Sequence, residues 1–271
     1  MGKTVSFTIK ERYTMDDLIE IMRLLRSPEG CPWDREQDHK SIRSNFLEET
    51  HEALEAIELE DAGLLQEELG DVLMQVVFHA RIEEEQNSFT FDDVVDGVCR
   101  KLVVRHPHVF GNIKADDSSQ VLKNWDAIKR ETKGGKTQAD LLKSLPRSLP
   151  ALMRAAKVQT RAKRVGFDWP DITGAMAALE SELAELKEAV AAGEPAAVEE
   201  ELGDLLFSAV NVSRFLHTDA EQALTGATDK FIRRFTEVER MASEAGVDMS
   251  SASLEELDKL WDLAKAAERG R

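Results

Sequence analysis

The sequence predicts an all-α protein made of two tandem helical halves, and three observations carry that prediction. Apolar residues recur at three- and four-residue intervals through most of the 271 positions. Helix formers (Ala, Leu, Glu, Lys) dominate, glycines and prolines collect between the periodic segments, and no βαβ alternation appears. An acidic pattern in the first half, Glu49, Glu52, Glu68 and Asp71, returns as Glu182, Glu185, Glu201 and Asp204, every member displaced by 133 positions.

Thr14-Met-Asp-Asp17 reads as a capped start for a helix to about Arg26. Ser27–Asp34, with two prolines and a glycine, reads as a loop. A long helix is expected over about His39–Glu60, with Phe46, Leu47, Leu54 and Ile57 on its apolar side. After a break near Asp61–Gly63, a second runs through Leu69, Leu73, Val76 and Val77, and Thr90-Phe-Asp-Asp93 caps another to about Val104. Beyond Gly111 the chain turns polar around a helix at about Val121–Arg130. Gly-, Pro- and Lys-containing stretches at Lys133–Lys136 and Leu145–Pro150 suggest a boundary, giving domains 1–132 and 151–271 joined by a linker, 133–150. The second half repeats the design: helices near Ile172–Ala192, Pro195–Leu216 and Ala220–Ser243, and a Ser253-Leu-Glu-Glu256 capping box before a terminal amphipathic helix.

A formal net charge of -17 argues against a general nucleic-acid binder, which needs a broad basic surface. Cys31 and Cys99 stand far apart in no metal-binding spacing, which suits a reducing cytosol. Met1–Tyr13 has no apolar signal core and no run is long enough to span a bilayer, so a cytoplasmic protein without membrane contact is expected. No Gly-x-x-x-x-Gly-Lys-[Ser/Thr] loop occurs.

Acidic helices usually present a solvated face. Here the repeat, its ungapped extension through Glu67-Glu-Leu-Gly-Asp and Glu200-Glu-Leu-Gly-Asp, and the apolar residues between the acids favour a site. Three-residue spacing puts each pair on one side of a helical turn. Carboxylates about 5 Å apart repel by about 3 kcal/mol at an effective dielectric near 20, so four facing acids call for a cation. Mg²⁺ suits an all-oxygen site that keeps water, with Mn²⁺ as the alternative. Gly70 and Gly203, inside helices, would admit a close neighbour, helix or ligand. A competing di-iron reading rests on Glu48-x-x-His51, but Ser181 and Ala184 occupy the equivalent positions of the repeat.

Glu-x-x-Glu, fifteen intervening residues and Glu-x-x-Asp resemble the signature of the MazG nucleoside triphosphate pyrophosphohydrolases. The resemblance extends to Cys31-Pro-Trp-Asp34, Arg105-His-Pro-His-Val-Phe110, Pro146–Pro150, Val165-Gly-Phe-Asp-Trp169 and Lys230–Phe235. It implies two MazG-like four-helix-bundle units completed by homodimerisation, and Mg²⁺-dependent cleavage of an NTP or dNTP to the monophosphate and pyrophosphate. It also implies that the second acid set, Glu182, Glu185, Glu201 and Asp204, leads as metal ligands. Glu49, Glu52, Glu68 and Asp71 form a second candidate site. Glu182 or Glu185 is the expected acceptor of the water proton. The alternative within the family is a catalytically silent helical interaction module.

Cations should meet the triphosphate. Lys230 and Arg234 lie four apart on one helix face, and Lys101 and Arg105 show the same spacing. Lys129, and Trp261 with Lys265, match regions that the family uses for substrate contact. Ala178 and Val198 depart from the lysines some relatives carry there. His106 and His108 are expected to cap or pack in a loop, and Trp33 and Trp169 to be structural.

Overall fold

The computed structural model describes residues 7–112 and 137–269 together with Asp117, Gln120 and Val121. These residues form twelve helices and no strand. Lys129 and the rest of the helix expected near Val121–Arg130 lie outside the described residues beyond Val121 itself. The chain divides into two units, Met1–Gly134 and Gly135–Arg271.

The first unit holds α1 (Met15–Leu25), α2 (Pro32–Glu36), α3 (Arg43–Glu58), α4 (Ala62–Glu85), α5 (Phe91–Arg105) and α6 (Pro107–Phe110). Thr14 and Thr90 close capping boxes with Asp17 and Asp93, as their spacing requires. The stretch expected as a loop contains α2, because Pro32 sits at the first helical turn, where its missing N–H costs nothing. The same logic makes α6 from the expected His106–His108 loop, with Pro107 at its start and the His106 ring nitrogen Nδ1 2.6 Å from the Leu102 carbonyl. α3 begins at Arg43 rather than near His39, since Asp38 accepts from the Lys40 and Ser41 N–H groups and holds a turn.

The core of this unit sits between α1 and α4: Met22, Ile42, Val77, Phe78 and Ile82 are buried, flanked by Met15, Leu18, Ile19, Met74 and Phe91. The buried Arg26 side chain fastens it, donating to Glu85 at 3.0 and 2.8 Å and to the Asp34 and Gln37 carbonyls at 2.5 and 3.1 Å. Such a bidentate buried pair fixes α1 against α4 geometrically.

The second unit holds α7 (Gln138–Lys143), α8 (Ala151–Lys163), α9 (Ile172–Ala192), α10 (Pro195–Phe215), α11 (Ala220–Ala245) and α12 (Leu254–Arg269). Asp171 caps α9, and Gly193 (φ 72°) and Gly246 (φ 69°) close α9 and α11 in the left-handed conformation. The sequence reading missed α7 and α8. α8 packs on α10, and the Gln159 amide donates to the Phe207 carbonyl at 2.8 Å. Asp168 and Arg214 form the fastening pair, Arg214 Nη1 donating to Asp168 Oδ2 at 2.9 Å. Trp169 packs flat on Gly174, where a Cβ would lie 2.8 Å from its ring, so this Trp is structural although its rim is exposed. Trp33 is 58% exposed.

Many apolar side chains remain uncovered. On α3, Phe46, Leu47, Leu54 and Ile57, the residues expected to be core, are all exposed, and Ala53 and Ala56 are buried instead. The periodicity identified a face needing cover, and the described helices of the unit leave it open.

Candidate functional site

In each unit the acids lie on two helices joined by a short connection and packed side by side, α3 with α4 and α9 with α10. Asp61 sets the first connection by accepting from the Gly63 and Leu64 N–H groups at 2.9 and 3.0 Å. Gly193 and Pro195 set the second. The hairpin brings one acid of the first helix against two of the next.

Glu49, Glu68 and Asp71 offer oxygen atoms within 4.8 Å of one another, and so do Glu182, Glu201 and Asp204. Five of these six are partly buried and Asp204 is exposed. Each quartet is therefore a converged trio with a fourth acid, Glu52 or Glu185, exposed beside it. Burial pushes the Glu182 carboxyl above its ordinary value, and the charges of Glu185 and Asp204 push it further. Burial also raises Glu201, with Glu185, Asp204, Glu182 and Glu200 adding to the effect. Glu49 and Glu68 are raised in the same way, by burial and then by the surrounding acids. Four carboxyls raised by their neighbours is what a cation-free cluster of this kind must show, and a divalent cation reverses it. The donor set is all oxygen, which fits a hard cation and excludes the mixed Glu/His shell of a di-iron site. His51 is exposed on α3 and belongs to neither trio.

Two supporting residues escaped the sequence reading. Gln75 is buried, directs its amide at Glu49 Oε1 at 3.5 Å and leaves its own Oε1 without a partner. Ser181 Oγ donates to Glu185 Oε1 at 2.9 Å and orients the fourth acid of the second set. Spacing alone pointed to neither, although Gln75 stands one turn after Asp71. Gly70 and Gly203 are not crowded among the described residues: a Cβ at either meets nothing within 4 Å.

The expected substrate contacts gather elsewhere, along α11 and α12. Arg234 Nε donates to Glu268 at 2.6 Å and its guanidinium lies 6.0 Å from the Trp261 ring centroid. Trp261 packs on Phe231 with centroids 5.1 Å apart. Lys230 adds positive charge near Glu268, and Lys265 pairs with Asp262 at 3.2 Å. Arg234 and Trp261 thus form one seam, while the acids lie on α9 and α10.

The profile described as the MazG nucleotide pyrophosphohydrolase domain matches residues 37–110 and 172–238, both acid hairpins. The nucleoside triphosphate pyrophosphohydrolase/pyrophosphatase MazG of Thermotoga maritima is 45% identical over 253 residues, 93% of this chain and 96% of that protein. The chain belongs to the MazG family. The nucleoside triphosphate pyrophosphohydrolase of Escherichia coli K12 is 46% identical over 259 residues, 94% of this chain and 98% of its own length. A nucleoside triphosphate pyrophosphohydrolase of Mycobacterium tuberculosis matches over 153 residues at 42% identity, 56% of this chain and 45% of its own. The MazG resemblance read from the acid spacing therefore spans nearly the whole chain, and the MazG profile matches the acid hairpin of each half separately.

Proposed function

We infer that this chain is a nucleoside triphosphate pyrophosphohydrolase that converts an NTP or dNTP to the monophosphate and pyrophosphate, with Mg²⁺ held by the second acid set. The observation that carries the reading is the carboxylate trio Glu182, Glu201 and Asp204, whose oxygens converge within 4.8 Å on a hairpin matched by the MazG profile. Bound there, Mg²⁺ supplies charge neutralisation on the triphosphate and an oriented water. The chain's own residues supply the rest. Glu185 stands outside the trio with one oxygen engaged by Ser181, so its other oxygen accepts the proton of the attacking water. Lys230, Arg234, Trp261 and Lys265 meet the substrate, and Arg234 exchanges Glu268 for a phosphate oxygen. The first trio, with Glu52 beside it, is a second cation site. The enzyme works in the cytoplasm on free nucleotides, as a homodimer, away from nucleic acid and membrane. Among the described residues no helix is long and apolar enough to cross a membrane.

The test separates ligands from base. Glu201→Gln or Asp204→Asn is expected to lower turnover by about 10²-fold or more and to weaken Mg²⁺ or Mn²⁺ binding by calorimetry about 10- to 100-fold. Glu185→Gln should lose turnover comparably yet keep cation affinity within a few fold. Products are read as NMP plus pyrophosphate; NDP plus phosphate would refute the bond assignment, and normal turnover in a Glu201→Gln/Asp204→Asn double variant would move the site.

A further inference from the structure

A cluster that the acidic hairpins do not use sits at the start of α3. His39, in the turn before that helix, has Nε2 2.7 Å from Glu83 Oε1 and Nδ1 2.7 Å from His79 Nδ1. The two rings lie 9° from parallel with centroids 5.0 Å apart, so they meet edge to edge through their Nδ1 atoms. We propose that Glu83, His39 and His79 form a proton-sensitive clasp that fastens the start of α3 to α4 and opens when both imidazoles become charged.

Two Nδ1 atoms at this distance share one proton, one ring donating and the other accepting. A metal bridge is the alternative reading, but two imidazole nitrogens on one tetrahedral Zn²⁺ stand about 3.3 Å apart, so the spacing suits a proton better than an ion. Glu83 can offset the charge that one proton brings to the pair, and the Ser88 hydroxyl helps keep that carboxylate ionised. A second proton leaves two N–H groups pointing at each other and two cations edge to edge. The rings line a cavity of about 480 Å³ whose other walls are Phe46 of α3, Val76 and Ala80 of α4, Phe89, and Val94 of α5, with Glu83 the one acid among the described residues that line it. Asp38, beside His39, accepts from the Lys40 and Ser41 N–H groups and keeps a negative charge that His39 feels, while Lys40 adds positive charge beside it. Burial, and then His39, hold the His79 imidazole below its ordinary value.

The duplication sharpens the argument. The positions 133 residues on are Ile172, Val212 and Leu216, so the repeat carries apolar residues where the first unit carries His39, His79 and Glu83. The titratable residues are confined to the first unit's copy of these positions. The clasp's position gives it consequence, because α3 carries Glu49 and Glu52 and α4 carries Glu68 and Asp71. Opening the clasp frees the helix that delivers half of the first acid set.

The sign follows from linkage. The unfolded chain takes up the second proton at higher pH than the clasp does, so local stability is full above about pH 6.5 and falls as pH drops below it. The experiment titrates the histidine rings of the full-length protein by NMR from about pH 8 to about pH 5 and follows hydrogen exchange of residues 37–46, corrected for intrinsic rate. Two coupled steps are expected, His79 taking the later proton, and exchange should rise roughly tenfold or more across that step. The variant His39→Ile/His79→Val, which imports the second unit's residues, should keep the segment protected with no acid-dependent rise. Independent, single-step titration of the two rings, or exchange that is flat through both steps in the wild type, overturns the clasp whether or not the variant folds. Perturbation of both rings by equimolar Zn²⁺ at neutral pH, abolished by chelator, overturns it in favour of a metal site.

Discussion

At the residue scale the acids of each trio work against the fold that holds them. Burial and mutual repulsion raise Glu49, Glu68, Glu182 and Glu201 above the ordinary 4.5. A carboxyl raised in the folded state binds protons more readily there than in the unfolded chain. Its ionisation therefore costs stability at neutral pH, and acidification towards 4.5 returns what was lost. Cation-free Glu201→Gln is accordingly expected to melt above the wild type at neutral pH, with the gap closing as pH falls towards the ordinary carboxyl range. Saturating Mg²⁺ should reverse the order, because the cation stabilises only the protein that binds it. A wild type that melts above the variant at neutral pH without cation would contradict the repulsion argument. The trio was legible in the sequence because identical spacing recurred in both halves. The separate standing of Glu52 and Glu185 was not, since three-residue spacing gives a shared helix side but not which oxygens converge.

At the element scale each hairpin is positioned by buried ion pairs and close packing that no local pattern announces. Asp168 is held below the ordinary carboxyl range by its hydrogen bonds from Arg214, with burial opposing and the Arg214 charge assisting. Its contribution is therefore complete at neutral pH and is lost only as pH falls below 3.8 through the lowered value. Removing one partner strands the other in a largely buried place, so Asp168→Asn is expected to cost about 3 kcal/mol in chemical denaturation at neutral pH. A loss within about 0.5 kcal/mol would mean that the pair is effectively solvated. Ala175 is completely buried in α9, and Ala175→Leu should cost about 1–3 kcal/mol by overpacking. These partners lie 46 residues apart in Asp168–Arg214 and 59 in Arg26–Glu85, which is why sequence reading missed them. The caps at Thr14, Thr90 and Ser253 were legible because capping is decided within four residues.

At the scale of the whole molecule the uncovered apolar faces call for a partner surface. α5 has no buried residue although Val94, Val95, Val98 and Leu102 line it, and on α11 Phe231, Ile232 and Phe235 are exposed. The homodimer reading expects these faces to be covered by a second copy. Sedimentation of the wild type should give a dimer, and Val98→Glu should shift it to monomer while far-ultraviolet circular dichroism keeps its helical signal. A wild-type monomer would remove this account of the faces. By itself the sequence determined the all-α class, the duplication, most helix ends and the family, because periodicity, capping and repeated spacing are local or additive properties of the chain. Only the tertiary structure decided which three acids converge, that Arg234 rests on Glu268 and Trp261, and that two histidines 40 positions apart share a hydrogen bond. Those depend on how helices distant in sequence pack, and packing is fixed by shape and burial rather than by any spacing along the chain.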